Sequence, residues 1–458
     1  MKTISITKKS TLAIALMLFI FTSNFVVSQT NITTTKGNSF TINSNSSKNG
    51  VRTYHVKNGQ KDFRIEYEGD ITLSSDDRDI TGISRGGFIE IKKSSFGTRR
   101  RILIHNETGT LVKKYFVGWS EKSFNPEGKK WLADILPEIL RTTTIAAKSR
   151  VDRFYKKNGA NGVLSEVRKM KSDYIKSAYI KLLLEKNLST NDLVKTIEST
   201  GNYIKSDHYV SQILKSNQKA FLKNDRTVTA FINASKSLNS DHYSTNILKA
   251  VIEDASISDK QLGSLLEITK GIKSDHYITQ LLKSIMENRK LNDDNMGKIL
   301  ALTKDVNSDH YKVTILKLAL KNKNLSKKAH EQFLATVKDI KSDHYVSSII
   351  TEILKNNSFS SSSINTIVKM VDENISSSHY ISTIYKKIAS RNLTEKQLIM
   401  VIESSARIIK SSHSLSSVLV ALSNQVNKSS TKVKNAYKTA AKKIKSDTYY
   451  GRVMKALN

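Results

Sequence analysis

Seven of the ten histidines recur at one position of a repeated phrase, which reads Ser-Asp-His-Tyr in its best-preserved copies. Four successive steps of 34 residues lead from His208 to His344. The seven are His208, His242, His276, His310, His344, His379 and His413. Imidazole can bind a metal ion, transfer a proton, or donate and accept hydrogen bonds at a binding surface. The spacing therefore raises three hypotheses: a metal site, a catalytic site and a binding surface.

Metal binding and catalysis are both disfavoured. Two imidazoles that share a zinc ion must each approach it to about 2.1 Å, whereas neighbouring helices pack about 8–10 Å apart. His330-Glu331 resembles the start of a metalloprotease helix motif, but Leu334 stands where the second histidine is required. An identical side chain on every repeat suits an extended binding surface better than a single active site. The sequence thus predicts a protein that is not an enzyme and uses no metal or other cofactor.

The period of the phrase predicts that stacked helices carry these histidines. Degenerate copies extend the series from Ser172-Asp173-Tyr174 to Ser446-Asp447-Thr448-Tyr449, which gives nine copies. A fixed period of about 20–50 residues is typical of repeat architectures, and two helices with short turns fit each unit. We therefore expect an α+β protein in which an N-terminal antiparallel β domain precedes an α-solenoid of about nine helical hairpins.

Capping signals mark the start of both helices in a unit. The first helix begins at a small polar residue, with capping boxes at Ser258/Gln261 and Thr394/Gln397. The second begins at the recurring serine, so that Ser206 is expected to cap the helix with its side chain.

The other residues of the phrase have separable predicted roles. Asp207 places negative charge in the first helical turn, where the helix dipole favours it. Tyr209 lies at the edge of an apolar stripe and is expected to anchor the core, while His208 points about 165° away from the stripe and is expected to be exposed. The alternative is that the histidine is only a tolerated polar residue beside a cap, since Tyr174 takes its place in the first unit.

The first fifty residues are predicted to contain no folded domain. Residues 1–28 have a basic start, an apolar stretch and a small-residue end, the form of a cleavable signal peptide. Their apolar run is interrupted before the ~20 residues that a membrane span needs, and no later stretch could cross a membrane. Residues 29–50 are rich in Ser, Thr and Asn and are interpreted as a flexible leader. The mature protein is thus predicted to be exported, in the periplasm or outside the cell.

Two further segments precede the repeats at 159–458. Residues 51–124 alternate short apolar runs with turn signals, which predicts a β meander or sandwich with one buried face. The run Arg99-Arg100-Arg101 is interpreted as a solvated strand edge that discourages strand addition. Residues 125–158 are predicted to be a helical bridge and cap, with Asn125 as N-cap and Pro137 as a kink or restart.

Net charge is +33, which favours acidic partners. Basic residues are dense at the C-terminus, where they face one acid, Asp447, and form either a solubilising cap or an anion-binding end. They are Lys432, Lys434, Lys438, Lys442, Lys443, Lys445, Arg452 and Lys455. The chain has no cysteine, which excludes disulfides, thiolate metal sites and cysteine nucleophiles.

The chain resembles a group of bacterial exported proteins in which a small β domain leads into helical repeats that begin with Ser-Asp-Tyr. The segments that carry the resemblance are Pro126-Glu127-Gly128, Trp131-Leu132-Ala133 and Ser172-Asp173-Tyr174. Similar regions are attached to sensor metallopeptidases of the antibiotic-responsive type. This sequence lacks the membrane helices and the two-histidine zinc motif of such sensors, so the resemblance does not imply peptidase activity.

These observations favour an exported, non-enzymatic scaffold or sensing protein that binds a protein partner through its repeat surface. The alternative is an envelope protein that binds an anionic polysaccharide or lipid through its basic surface. Export makes nucleic acid the less favoured polyanion.

Overall fold

The computed structural model describes residues 30–34, 40–46, 50–58, 61–95, 97–254, 256–322, 325–355 and 363–457. It shows an α+β protein in which an antiparallel sheet is followed by a long series of helical repeats, as the sequence predicts. The chain divides into two compact units. The sheet unit extends to Arg150 and includes Met170–Ile175; the helical unit comprises Val151–Lys169 and the chain from Lys176 onward.

Ten strands lie in the described part of the sheet unit, and all their pairings are antiparallel. They are β1 (Thr30–Thr34), β2 (Phe40–Ser46), β3 (Arg52–Asn58), β4 (Lys61–Glu68), β5 (Ile71–Leu73), β6 (Ile80–Ile83), β7 (Phe88–Ser95), β8 (Thr98–Asn106), β9 (Leu111–Val117) and β10 (Ser120–Lys122). Eight form one sheet in the order β1-β2-β3-β4-β7-β8-β9-β10, and β5 pairs with β6 separately. The main sheet is thus a meander with one inserted hairpin.

One face of the main sheet is buried and the other is polar, as the alternating sequence predicts. Ile91 of β7 and Ile102 and Ile104 of β8 are fully buried. Lys92 and Arg101, at the alternating positions, face the other side and are exposed or partly exposed. Because successive side chains in a strand point to opposite faces, the core lies on the isoleucine side.

The structure differs from the sequence prediction in two places at the sheet. The segment 29–50 contains strands β1 and β2, because its chain pairs by main-chain hydrogen bonds with β3 and needs no apolar pattern of its own. The run Arg99-Arg100-Arg101 does not lie at a sheet edge, since β8 pairs with β7 on one side and with β9 on the other. The predicted signal peptide, residues 1–28, lies outside the described residues.

The connection after the sheet also departs from its predicted caps. A π-helical turn, Phe124–Gly128, precedes α1 (Lys129–Thr142), so Asn125 lies within the turn and does not cap the helix. Helix α1 continues through Pro137. Helix α2 (Ala147–Val167) is interrupted where Asn158 and Gly159 leave the helical conformation, at the predicted boundary between the helical bridge and the repeats.

Tyr67 supplies a pH-dependent test of the sheet core. Burial raises its pKa to about 12, with a smaller contribution from Tyr54, whose ring is stacked 6.2 Å away. The raised pKa means that the folded state favours the neutral phenol. The contribution of this preference to folding stability is present below pH 10 and is lost as pH rises through about 12. We expect the difference in tyrosinate absorbance between the wild type and Tyr67→Phe to titrate near pH 12. A midpoint near 10, the ordinary tyrosine value, would contradict the burial.

The helical unit is built from two helices in each repeat. The second helices, which begin with the recurring phrase, are α3 (Asp173–Leu184), α5 (Asp207–Ser216), α8 (Asp241–Asp254), α10 (Asp275–Asn288), α12 (Asp309–Ala319), α14 (Asp343–Lys355), α16 (Ser378–Ala389), α18 (Ser412–Asn427) and α20 (Asp447–Lys455). The first helices are α4 (Thr190–Tyr203), α7 (Asp225–Ser235), α9 (Asp259–Thr269), α11 (Asp293–Asp305), α13 (Lys327–Lys338), α15 (Ser363–Asn374), α17 (Glu395–Ile408) and α19 (Thr431–Ala441), and the short α6 (Gln218–Phe221) follows α5.

First helices contact first helices of the next repeat, and second helices contact second helices, which gives the unit two layers. Both predicted capping boxes are present, at Ser258/Gln261 and at Thr394/Gln397. Burying each Ile or Leu between the layers contributes roughly 1.5–3 kcal/mol, more than the ~1 kcal/mol of a cap. The apolar positions therefore hold the layers together, and the caps set where each helix begins.

Candidate binding surfaces

The aspartate of the phrase joins successive repeats. Asp275 Oδ2 accepts hydrogen bonds from the backbone N–H of Ser308 at 2.8 Å and of Asn307 at 3.1 Å, both in the next repeat. Asp207, Asp241, Asp309 and Asp343 make the equivalent pair of bonds. The sequence predicted only a helix-dipole role for this aspartate. Patterns within one helix cannot show which backbone amides of another repeat bind the carboxylate.

The serine of the phrase was predicted to cap the second helix with its side chain. This prediction is wrong in most copies for which the structure describes the N-cap. Ser206, Ser274 and Ser308 occupy the N-cap position, but their side chains make no capping hydrogen bond. Ser411 does accept one, from the amide of Ser414. Instead, the backbone N–H groups of Ser274 and Ser308 donate to the aspartate of the preceding repeat.

All seven phrase histidines are exposed, as the helical geometry predicts. The tyrosine that follows is only partly buried, although Tyr345 and Tyr380 pack against the apolar core, so the predicted core contact is present but incomplete. Position 210 and its equivalents are buried instead, for example Val210, Ile278 and Val346. A position at the edge of a helical stripe is buried only if the neighbouring repeat covers it, and here that neighbour presents a histidine.

Histidine and tyrosine rings alternate in a continuous ladder. His276 lies 5.4 Å from Tyr277 in its own repeat and 6.0 Å from Tyr311 in the next, both in edge-to-face geometry. Ring contacts of 5.1–6.0 Å connect Tyr243 through to His379 without a break. His208 pairs with Tyr209, and His413 with Tyr449. Edge-to-face pairs contribute about 0.5–1.5 kcal/mol beyond burial, so the ladder stiffens this line of the surface.

Hydrogen bonds occupy both ring nitrogens of two ladder histidines. His242 Nδ1 lies 3.3 Å from Tyr277 Oη, and His242 Nε2 lies 3.1 Å from Asn246 Nδ2. His276 has the same arrangement, with Tyr311 at 3.3 Å and Gln280 at 2.8 Å. With the proton on Nδ1, the ring donates to the tyrosine and accepts from the amide. Such imidazoles are held as hydrogen-bonding groups of the surface.

Lysines also recur beside the ladder, at a position that the repeated phrase does not include. Seven residues after the histidine stand Lys215, Lys249, Lys283, Lys317 and Lys386, with Lys181 at the equivalent place in the first repeat. Four residues after it stand polar side chains such as Gln212, Asn246 and Gln280. Positions i, i+4 and i+7 share one helical face, which is the signal in the sequence that identifies the set. We call this face the histidine stripe.

The histidine stripe contains cross-repeat contacts and a cavity. Lys181 Nζ donates to Gln212 Oε1 at 2.8 Å, and Lys317 Nζ donates to Ser348 Oγ at 2.8 Å. Partial burial lowers the pKa of Lys181. A cavity of about 500 Å³ between α5 and α8 is lined by stripe residues of both helices. They are His208, Gln212, Lys215, His242, Asn246 and Lys249.

The C-terminal basic residues lie on α19 and α20 and in the turn between them, at the last described repeat. All are exposed except Lys434, which is half-buried. The Arg452 guanidinium lies 5.5 Å from the centre of the Tyr449 ring. No contact in the described residues gathers these cations around a common point.

The described residues show neither a metal centre nor a membrane span. They contain no group of three or more histidine, aspartate or glutamate side chains placed to hold a metal ion. No described helix has the length and apolar character to span a membrane.

Comparison with known proteins gives no relative that informs function. No family model matches the chain, and no curated protein matches it. Among solved structures, one match is to a chain from "Computational Design of Self-Assembling Cyclic Protein Homooligomers", at 12% identity over 70% of this chain and 95% of that one. Its TM-score of 0.12 is too low to support any argument from similarity.

Proposed function

We propose that the protein is an exported, non-enzymatic scaffold or sensing protein whose helical unit binds a protein partner along the histidine stripe. The observation that carries the proposal is the repetition of one exposed set, a histidine, a polar side chain and a lysine, on successive second helices. A surface that repeats at every helix suits an extended ligand, because each rung contacts the next part of it.

The chemistry of the stripe favours an extended acidic segment of that partner. Five of the seven histidine rungs offer a lysine ammonium and hydrogen-bonding groups within one helical face, and Thr351 and Val420 take the lysine position in the other two. The nearest acids to Lys249 and Lys283 are Glu253 and Glu287, both 3.9 Å away, so these pairs are loose. Helices about 8–10 Å apart and an extended chain rising about 3.3 Å per residue place one rung beside roughly every third residue of the ligand.

The proposal predicts that stripe lysines matter more than other lysines. The variant is Lys249→Ala/Lys283→Ala/Lys317→Ala, and the probe is a fluorescent glutamate-rich peptide of about 12 residues, enough for four rungs. We expect about tenfold weaker binding by fluorescence anisotropy, from three partly screened ion pairs.

A matched triple variant provides the control. Lys260→Ala/Lys298→Ala/Lys328→Ala removes the same amount of charge, one lysine from each of the first helices α9, α11 and α13. It should change peptide affinity less than about twofold. Equal losses in the two triples would reduce the binding to nonspecific charge and overturn the proposal. So would equal affinity for a peptide in which glutamine replaces every glutamate.

A further inference from the structure

The polar face of the sheet unit forms a basic groove that the function proposed above does not use. A cavity of about 790 Å³ crosses the solvent side of β3, β4, β7, β8 and β9. It is lined by Arg64, Lys92, Lys93, Arg99, Arg100 and Arg101, together with His55, Asp62, Phe116 and Trp119. Because side chains alternate along a strand, Arg64, Lys92, Arg99 and Arg101 point to this polar face, and Asp62 is the carboxylate among the lining residues. Lys93, which lies over the buried Phe63 ring, and its cross-strand partner Arg100 stand at the alternating positions, on the isoleucine side. Adjacent strands lie about 4.8 Å apart, so five strands make the groove about 19 Å across.

Some of these cations are held in place and others are left available. Glu90, only 12% exposed, binds Arg101 at 3.0 Å and also pairs with Lys92. The Arg101 guanidinium lies over the Phe116 ring, 3.9 Å from its centre. Arg99, on the same face as Arg101, is exposed and forms no ion pair with the described residues. A fixed guanidinium beside an uncompensated one creates a positive potential that the neighbouring acids do not cancel.

Trp119 adds an aromatic surface at the end of the groove. It is 94% exposed and lies in the turn between β9 and β10, directly after Gly118, which has a φ of 60°. The turn holds the indole out from the sheet, where its face and its N–H both remain accessible. An exposed tryptophan beside a row of arginines is a feature that the fold does not require.

We propose that this groove binds an anionic polysaccharide, a chain of sugar rings that carry carboxylate or sulfate groups. Arg99 and the preoriented Arg101 pair with successive anionic groups, since guanidinium matches carboxylate and sulfate oxygens in a two-point geometry. Trp119 stacks against the apolar face of a sugar ring, and Lys92 supplies a third cation. The width of about 19 Å fits several consecutive charged sugars and exceeds the size of one small anion.

The same features disfavour other polyanions. Sites for single-stranded nucleic acid use several aromatic platforms for successive bases. Here the cation of Arg101 covers the face of Phe116, which leaves Trp119 as the uncovered ring of the groove. The groove also accommodates a polysaccharide chain better than the flat surface of a membrane.

The test uses the full chain and two probes of defined length, an oligogalacturonate for carboxylate groups and a heparin oligosaccharide for sulfate groups. Trp119→Ala should weaken binding of at least one probe about tenfold by calorimetry. Arg99→Gln/Arg101→Gln should weaken it more and flatten its salt dependence. The probe that loses more identifies the anionic group that the site prefers.

Controls separate this site from general charge and from the stripe. Lys442→Gln/Lys443→Gln removes the same charge at the C-terminus and should change affinity less than about twofold. Lys249→Ala/Lys283→Ala/Lys317→Ala should leave saccharide binding intact, and the groove variants should leave binding of the acidic peptide intact. Equal losses in the two double variants, no effect of Trp119→Ala, or tighter binding of a single-stranded DNA of equal charge would each overturn the proposal. Because Trp119 is 94% exposed, its variant remains informative even if the arginine variant fails to fold.

Discussion

Replacing Arg150 with methionine is expected to lower the free energy of unfolding of the sheet unit by about 3–5 kcal/mol. Arg150 is 1% exposed, and its Nε and Nη2 donate to Asp77 Oδ2 at 3.0 and 2.9 Å. Its Nη1 donates to the carbonyl of Leu140 at 3.1 Å. Methionine fills much of the same space but leaves the Asp77 carboxylate, 12% exposed, without its main compensating charge. The expected loss comes from that uncompensated charge more than from the lost contacts.

Urea denaturation followed by tryptophan fluorescence measures this effect. Both tryptophans of the chain, Trp119 and Trp131, lie in the sheet unit, so their signal reports on that unit. Arg78→Met is the control, because Arg78 is an exposed neighbour of Asp77 and its loss should change stability by less than about 0.5 kcal/mol.

Two further variants separate charge from packing. Arg150→Met/Asp77→Asn should be more stable than Arg150→Met alone, because asparagine removes the charge that Arg150 no longer compensates. Asparagine also tolerates the positive φ of 62° at position 77. Arg150→Lys should recover part of the loss, since lysine restores the charge without the two-point geometry. A double variant that is no more stable than the single one would contradict the electrostatic explanation.

Local signals in the sequence predict the helical repeats well. The capping boxes at Ser258 and Thr394, the nine helices that begin with the phrase and the exposed histidines all follow from spacing within one helix. These features depend on interactions between residues a few positions apart, and the 34-residue period repeats the same signal many times.

Features that join distant parts of the chain could not be predicted in this way. Asp77 and Arg150 are 73 residues apart and belong to no repeated pattern. The basic groove required the strand order, because only the pairing of β8 between β7 and β9 moves Arg99 and Arg101 from an edge to the middle of a sheet face. The half-buried tyrosines likewise depend on what the neighbouring repeat places over them.

Replacing Asp275 with alanine is expected to destabilise the helical unit by about 1.5–3 kcal/mol, because hydrogen bonds to a charged group contribute about that much. The variant removes the acceptor for Ser308 N–H and Asn307 N–H, which belong to the next repeat. The lost energy therefore belongs to the interface between two repeats, and stacked repeats unfold together only while such interfaces hold. We expect the urea transition, followed by far-ultraviolet circular dichroism, to move to lower urea and to broaden.

Asp294→Ala distinguishes this cross-repeat role from a helix-dipole effect. Asp294 also lies in the first turn of a helix, α11, but it is 75% exposed and pairs only with Lys298 one turn away among its described contacts. Its loss should cost less than about 1 kcal/mol, with no broadening. Asp275→Asn keeps an acceptor oxygen without the charge and should fall between the two. If Asp275→Ala and Asp294→Ala shifted the transition equally, the phrase aspartate would act through the helix dipole alone, and its hydrogen bonds to the next repeat would carry no stability of their own.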